Sequence, residues 1–396
     1  MRRAWSAAAV GLVAGLIISA GANAAGGPLF ASPTGTGTAC TANAPCSLQT
    51  AVAIASAGAT VHAFPGVYHG GVVIAKQLDL EGQRAVLDAS SSSDGYGIEV
   101  VGPGGSGSTI DGWTVTNAQF SGILVGSHIA ASDGTPLTAG SPISNVTIDH
   151  VVVAGNDRGF SGEVGSGAGE CFTTPFAPGD CGEGIHLVSA TNSVVDHALV
   201  THNAGGVLLT DEFGPVTGVT IRHVAALDNV DDCGITIASH TSSQIYGNVV
   251  ENSVADGNGV AGQGAGILLA GAAPGTGVHD NLIRNNEASG NGLAGVTIHD
   301  HFPGNFNNNV IENNRLGTNN LDGDYDFLTP DPQTTGIVVA AGWPFPGPPP
   351  FAPISGTVIR NNTISDDAVG IWTLHAPSLI ANNTFHNVGT PVVNNP

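Results

Sequence analysis

Short runs of alternating aliphatic and variable residues recur along the chain with a fixed phrase: Gly, aliphatic, any residue, aliphatic. It reads GIEV at 97–100, GILV at 122–125, GIHL at 184–187, GVLL at 206–209, GITI at 234–237, GILL at 266–269, GVTI at 295–298, GIVV at 336–339 and GIWT at 370–373. A second phrase follows most of these, as in NVTIDH (145–150), NSVVDH (192–197), GVTIRH (218–223), NNNVIENN (307–314) and GTVIRNN (356–362). Alternation with period two predicts strands with one buried face and one wet face. The spacing from Gly184 to Gly206 is 22 residues and from Gly295 to Gly336 is 41. Repeats of that length predict a solenoid in which each coil contributes two or three short strands and buries its aliphatics against its neighbours. No helical crossover pattern separates the strands, so a doubly wound sheet or a barrel with outer helices is excluded. Asn203, Asn229, Asn258, Asn291 and Asn314 recur after the second phrase and are expected to stack as side-chain ladders.

The fold class is therefore all-β: one domain, a parallel β-helix of about ten coils. The opening segment PCSLQTAVAIASAGATVHAFPGVYHG (45–70) reads as a short amphipathic helix near 47–57, a turn, a first strand and a Pro-Gly-x-Tyr turn. A helix there would close the end of the solenoid, which otherwise exposes apolar interior and unpaired strand edges. With these features the chain resembles the right-handed parallel β-helix proteins of the pectin-lyase-like superfamily over residues 60–390, within a domain spanning 25–396. That superfamily holds lyases, hydrolases, epimerases, adhesins and structural proteins, so the resemblance implies a fold and several functions.

Composition sharpens this. Gly contributes 58 of 396 residues, charged residues only 10%, and hydrophobic residues 41%, a profile of buried strands and tight turns rather than disorder. Residues 1–24 carry Arg2 and Arg3, an apolar run and Ala22-Asn23-Ala24, the pattern of a cleaved secretory leader, so a secreted protein is expected. Removing two of nine basic residues leaves seven against 31 acidic, a net charge of −24. Such a charge excludes non-specific nucleic-acid binding and disfavours anionic lipid. The mature chain has no stretch long and apolar enough to span a bilayer, and a monomer is expected. In an oxidising compartment Cys40–Cys46 and Cys171–Cys181 are expected to form local disulfides, leaving Cys233 as a buried thiol.

Insertions interrupt the coils at 126–143, 155–182, 321–334 and 341–353. Tyr325 and Trp343 lie in the last two, where aromatics suit either stacking on sugar rings or packing onto the coil beneath.

Aligning coils on the repeated Gly puts Asp211 and Glu212, Ser239 and His240, Gly271 and Ala272, and Asp300 and His301 in matching columns. His299 falls one place earlier, in the column of Thr210, Ala238 and Ala270. Glu183, Asp231 and Asp232 precede the Gly at the opposite edge, and His186 and Thr236 point outward between the two. The expected result is a shallow groove with carboxylates at both margins and imidazoles within it, the kind of convergence that marks a site. Asp149, His150, His197, His202 and His223 are read instead as turn and ladder residues.

The groove suggests a polysaccharide as partner and hydrolysis by paired carboxylates as the reaction. The catalytic candidates are Asp211, Glu212, Asp231, Asp232 and His240; His186, Thr236, His299, Asp300, His301, Tyr325 and Trp343 would bind substrate. DNVDDCGIT (228–236) resembles the Asp-Asp-Cys segment of the polygalacturonase family, which implies a role for Asp231 and Asp232; that family's Gly-His-Gly and Arg-x-Lys segments have no counterpart here. A polysaccharide lyase or uronate epimerase is the alternative, with a His base, His240 or His301, because Lys76 is the mature chain's one lysine. Ca²⁺ held by Asp211, Glu212, Asp231 and Asp232 would serve that reaction. The epimerase motif Asp-Pro-His-Asp is absent. A third reading is a non-enzymatic secreted adhesin or envelope scaffold.

Overall fold

The computed structural model describes residues 27–128, 141–158, 183–260, 264–271, 273–300, 302–321, 333–341 and 353–395. The leader, Cys171, Cys181, His301, Tyr325, Trp343 and most of the four insertions lie outside these residues. The described chain is a right-handed parallel β-helix: every strand pairs in parallel with its counterpart one coil away.

One complete coil shows the plan. Ile185–Val188 is followed by the short strands Ala190–Thr191, Val194–Asp196 and Leu199–Thr201, and then Val207–Thr210 opens the next coil. This coil thus carries four strands where the sequence pattern predicts two or three. Three of the four are only two or three residues long, too short for alternation to register. The strands on the repeated Gly phrase stack into an eleven-stranded sheet running from Val72–Ile74 to Thr390–Asn395.

The repeated phrase has a steric cause. A Cβ at Gly206 would lie 2.1 Å from the carbonyl oxygen of Gly234, and one at Gly234 would lie 2.7 Å from the side-chain nitrogen of Asn258. Each coil presses its Gly against the next, and only hydrogen fits between them.

Two further sequence habits become legible. His150, His197, His223, Asn252, Asn285, Asn313, Asn361 and Asn382 occupy one turn position in successive coils, all with φ between 46° and 57°. Asn and His tolerate this left-handed conformation better than most residues, which explains the endings IDH, VDH, IRH and IRN. Buried asparagines form ladders running along the solenoid. In Asn156–Asn203–Asn229–Asn258–Asn291–Asn319 each side-chain amide donates to the next oxygen at 2.8–3.3 Å. Each also satisfies backbone groups that the turn would orphan. Asn314 belongs not to this ladder but to a parallel one, Asn286–Asn314–Asn362–Asn383.

The interior is one continuous apolar cluster from Leu29 to Ala376. A helix, Leu48–Ile54, begins on Ser47, whose hydroxyl accepts from Thr50 N–H. It buries Leu48, Ala51 and Val52 against Leu29–Ala31 and Val72–Ile74. Cys40 and Cys46 are joined by a disulfide, and Cys233 is a buried thiol whose sulfur accepts the Ala265 N–H. No helix among the described residues is long and apolar enough to cross a membrane.

Candidate functional site

Nine of the eleven strands of this sheet, all but the two at its ends, are buried on both faces, which departs from the one wet face that alternation predicts. Its outward column reads Glu99, Leu124, His186, Leu208, Thr236, Leu268, Thr297, Val338 and Trp372, residue paired with residue across the strands. All nine are buried. Neighbouring turns fold over this face and build small apolar clusters outside the main core: Phe213 with Leu124 and Val188, and Cys233, Ala265 and Leu293 with Leu268 and Ala270. A parallel sheet covered on both sides is the common case. The turns were read as polar edges, which hid this cover.

Three of the expected residues, His186, Glu212 and His240, meet on that covered face, joined by Thr210. His186 is completely buried, and its Nε2 lies 2.9 Å from Thr210 Oγ1. Thr210 ends its strand, and Glu212 follows two residues later. Glu212 Oε1 lies 2.5 Å from His240 Nδ1, and only 8% and 9% of the His240 and Glu212 side-chain surfaces remain exposed. Thr210 also hydrogen-bonds Glu212, linking the four side chains. Burial disfavours the Glu212 charge, but His240, His186 and the Thr210 hydroxyl together hold its pKa below the ordinary carboxylate value. Burial pushes His186 the other way, down to about 4, against the attraction of Glu212. An ionised carboxylate and a neutral imidazole therefore sit within one small network.

A pH dependence follows. Unfolded His186 would protonate near 6.5, whereas the folded group resists protonation until about 4. Between those values the unfolded chain binds the extra proton, so His186 makes folding less favourable as pH falls, by about 3 kcal/mol over the window. His186→Gln should remove that slope. Denaturant melts of both proteins at pH 4 and 7 check it, and parallel pH profiles would show that His186 does not titrate in this way.

Asp211 sits apart from this network. It is fully buried, and four donors converge on its carboxylate. Oδ1 accepts the backbone N–H groups of His240 (2.7 Å) and Thr241 (3.0 Å). Oδ2 accepts Ser239 Oγ (2.9 Å) and the Gln244 N–H (2.7 Å). Burial pushes its pKa up against the pull of these donors. Its lone pairs are thus committed to the turn that carries His240.

Asp231 and Asp232 do not face Glu212 across a groove. Their backbone N–H groups donate to Ala204 O at 3.0 and 2.9 Å, ahead of the extended segment that ends at His240. Eight residues of mostly extended chain separate Asp232 from His240, over ~20 Å. The same distance prevents Asp211, Glu212, Asp231 and Asp232 from sharing a Ca²⁺ ion. Burial raises the Asp231 pKa, and Asp232 Oδ1 accepts the Cys233 N–H at 2.6 Å.

The small residues of these columns are split between two faces. Ala238 and Ala270 lie on the outward face between Thr210 and His299. Gly271 and Asp300 face the other way. A Cβ on Gly271 would meet the core residue Phe306 at 2.4 Å, and Asp300 shares its column with the core residue Ala341. Thr236 is on the outward face and buried.

One cluster escaped the sequence reading. Glu99, the variable residue of GIEV, lies in the outward column two strands before His186. Its Oε2 contacts His128 Nε2, and His128 stacks on Tyr96 with centroids 4.3 Å apart. Burial raises the Glu99 pKa. Asp94, which contacts Glu99 and accepts Ser92 Oγ at 2.6 Å, is held low despite its own burial. A carboxylate in a slot filled elsewhere by Leu, Thr, Val, Trp and the candidate His186 was the available signal.

No family model and no curated protein matches the sequence. Solved structures do match. The catalytic domain of Agl-KA aligns with a TM-score of 0.54 at 12% identity, over 85% of this chain and 57% of that one. Pectate lyase Pel9A gives 0.48 at 17% identity over 90% of this chain and 77% of that one. The A-module of the Azotobacter vinelandii mannuronan C-5 epimerase AlgE4 gives 0.44 at 15% identity over 88% of this chain and 92% of that one. At these identities the likeness is one of fold.

Proposed function

We propose that the chain is a secreted, monomeric carbohydrate-active enzyme that cleaves a polysaccharide by hydrolysis. In this reading the helix Leu48–Ile54 closes the N-terminal end of the solenoid. The observation that supports the proposal is the sealed network of His186, Thr210, Glu212 and His240. Buried titratable groups whose pKa values are driven apart are the mark of acid–base chemistry. Glu212 fixes His240 through Nδ1, so His240 takes a proton at Nε2 from the water that attacks the anomeric carbon; the bond from that carbon to the leaving sugar's oxygen breaks, and that oxygen takes its proton from solvent. Neutral His186 holds the pair in place through Thr210. A net charge of −22 over the full chain favours a neutral polymer, since an anionic one would be repelled.

The Glu212–His240 contact also supports a second reading, proton abstraction from a uronate ring, which needs one oriented base and no second carboxyl group. A panel of neutral and uronate polysaccharides, assayed for new reducing ends and for the ultraviolet absorbance of unsaturated uronates, separates the two. New reducing ends without absorbance are expected. Absorbance together with reducing ends favours the lyase, and inversion at C5 without cleavage favours the epimerase. Binding with no turnover on any polymer would overturn the enzymatic reading in favour of an adhesin.

A further inference from the structure

On a sheet other than that of the Gly-phrase strands, one column reads Glu81, Asp111, Asp149, Asp196, Arg222, Glu251, Arg284, Glu312 and Arg360, exposed or half-buried but for the buried Asp196, each paired in register with the next. From Asp196 onward the signs alternate, and the charges close pairwise. Arg222 meets Asp196 at 2.7 Å, Arg284 meets Glu251 at 2.6 Å and Arg360 meets Glu312 at 2.6 Å. The first four positions break this rule with four acids in a row, about 4.8 Å apart. Glu81 has His62 at 2.7 Å. Asp111 and Asp149 face no Arg or Lys among the described residues.

The next column supplies imidazoles at this break. His150, His197 and His223 share the left-handed turn position and stack, with ring centroids 4.9 and 4.7 Å apart. Their Nδ1 atoms turn toward the carboxylates. Asp149 Oδ1 lies 3.0 Å from His150 Nδ1 and 3.5 Å from His197 Nδ1, and Asp111 Oδ1 lies 3.3 Å from His150 Nδ1. Asp149 Oδ1 is sealed from solvent, yet no aligned hydrogen-bond donor reaches it. A hydrogen-bonded oxygen lies on the axis of the imidazole N–H. Two ligands of one tetrahedral ion lie off that axis and about 3.3 Å apart, given metal–ligand bonds of about 2.0–2.1 Å. The Asp149 arrangement has the second geometry. The neighbouring carboxylate is bound differently: His223 Nδ1 makes an aligned bond to Asp196 Oδ1 at 2.8 Å and Arg222 occupies Oδ2, while His197 Nδ1 lies between the two acids, 2.9 Å from Asp196 Oδ1 and 3.5 Å from Asp149 Oδ1.

We propose that Asp149, His150 and His197 form a site for a divalent transition metal of the Zn²⁺ type, with Asp111 at its open side. Two imidazole nitrogens select against Ca²⁺ and Mg²⁺, which take oxygen ligands. The ion would neutralise the unpaired acids and tie three consecutive coils together, the task that arginines perform further along the column. The site lies on a different sheet from Glu212 and His240 and is independent of the proposed activity.

Calorimetric titration of the chelator-treated, dialysed full protein with ZnCl₂ and, in parallel, CaCl₂ tests the site. One equivalent of Zn²⁺ should bind, and Ca²⁺ should leave no signal at the same concentrations. Asp149→Asn and His197→Gln should each weaken Zn²⁺ about tenfold or more, since even an outer-shell change costs that much. His223→Gln should not weaken it. Thermal melts without metal keep the test independent of folding: variants that match the wild-type midpoint but lose the Zn²⁺-induced rise support the site. Absence of Zn²⁺ binding, unchanged affinity in Asp149→Asn and His197→Gln, or an equal loss in His223→Gln would overturn it.

Discussion

Replacing His240 with alanine should lower turnover about 10²–10⁴-fold on any polymer that the wild type cleaves, the range carried by one positioned acid–base group. Glu212→Gln should fall in the same range for a different reason. Gln keeps the size of the side chain and can still accept from Nδ1, but it removes the negative charge that balances a proton taken up by His240. The His240 imidazole then lacks the charge that stabilises its protonated form, which makes it a weaker base. Both effects should appear in kcat with KM nearly unchanged, because the pair acts on the reacting bond and not on the length of the polymer. Asp232→Asn, at the far end of the same strand, should leave kcat within a few-fold. Equal losses in Asp232→Asn and Glu212→Gln would restore the two-margin groove and remove the dyad from the centre of the chemistry.

The contrast between those residues shows where sequence reasoning held. Coil periodicity was readable because burial acts on every second residue and recurs dozens of times. The register was readable too: the columns that join Thr210 to His299 and Ser239 to Asp300 follow from counting past each Gly, and the strand pairing reproduces them. Side-chain direction at strand ends was not readable. Asp211 and Glu212 are neighbours in the chain, and counting cannot tell which turns toward His240's ring and which toward its backbone. Distance along a strand was underestimated, so Asp231 and Asp232 were read as partners of residues that lie more than a whole strand away. The cover over the outward face was missed because it comes from single apolar residues in turns, such as Phe213 and Leu293, which carry no period. Glu99 and His128 were missed because their meeting depends on how a turn folds over the sheet.

Asp211→Ala tests the division of labour most directly, and its largest effect should be on stability. The substitution strands three backbone N–H groups in a half-buried turn, while the Ser239 hydroxyl keeps Thr241 O as an acceptor at 3.1 Å. Orphaned buried donors cost about 1–3 kcal/mol each, and a water entering the space left by the carboxylate recovers part of that, so a loss of about 4 kcal/mol is expected. Because the turn carries His240, activity should fall as well, but through displacement of the ring. Asp211→Asn separates the two effects. Its amide keeps one acceptor oxygen while turning an NH₂ toward donors, so it should remain destabilised by a few kcal/mol yet retain more activity than His240→Ala when assayed well below its melting temperature. Glu212→Gln should behave in the opposite way, folded near wild-type stability and nearly inactive. Denaturant midpoints and kcat measured on the three variants decide between the roles: an Asp211→Asn protein as stable as the wild type and as inactive as Glu212→Gln would make Asp211 the reacting carboxylate after all.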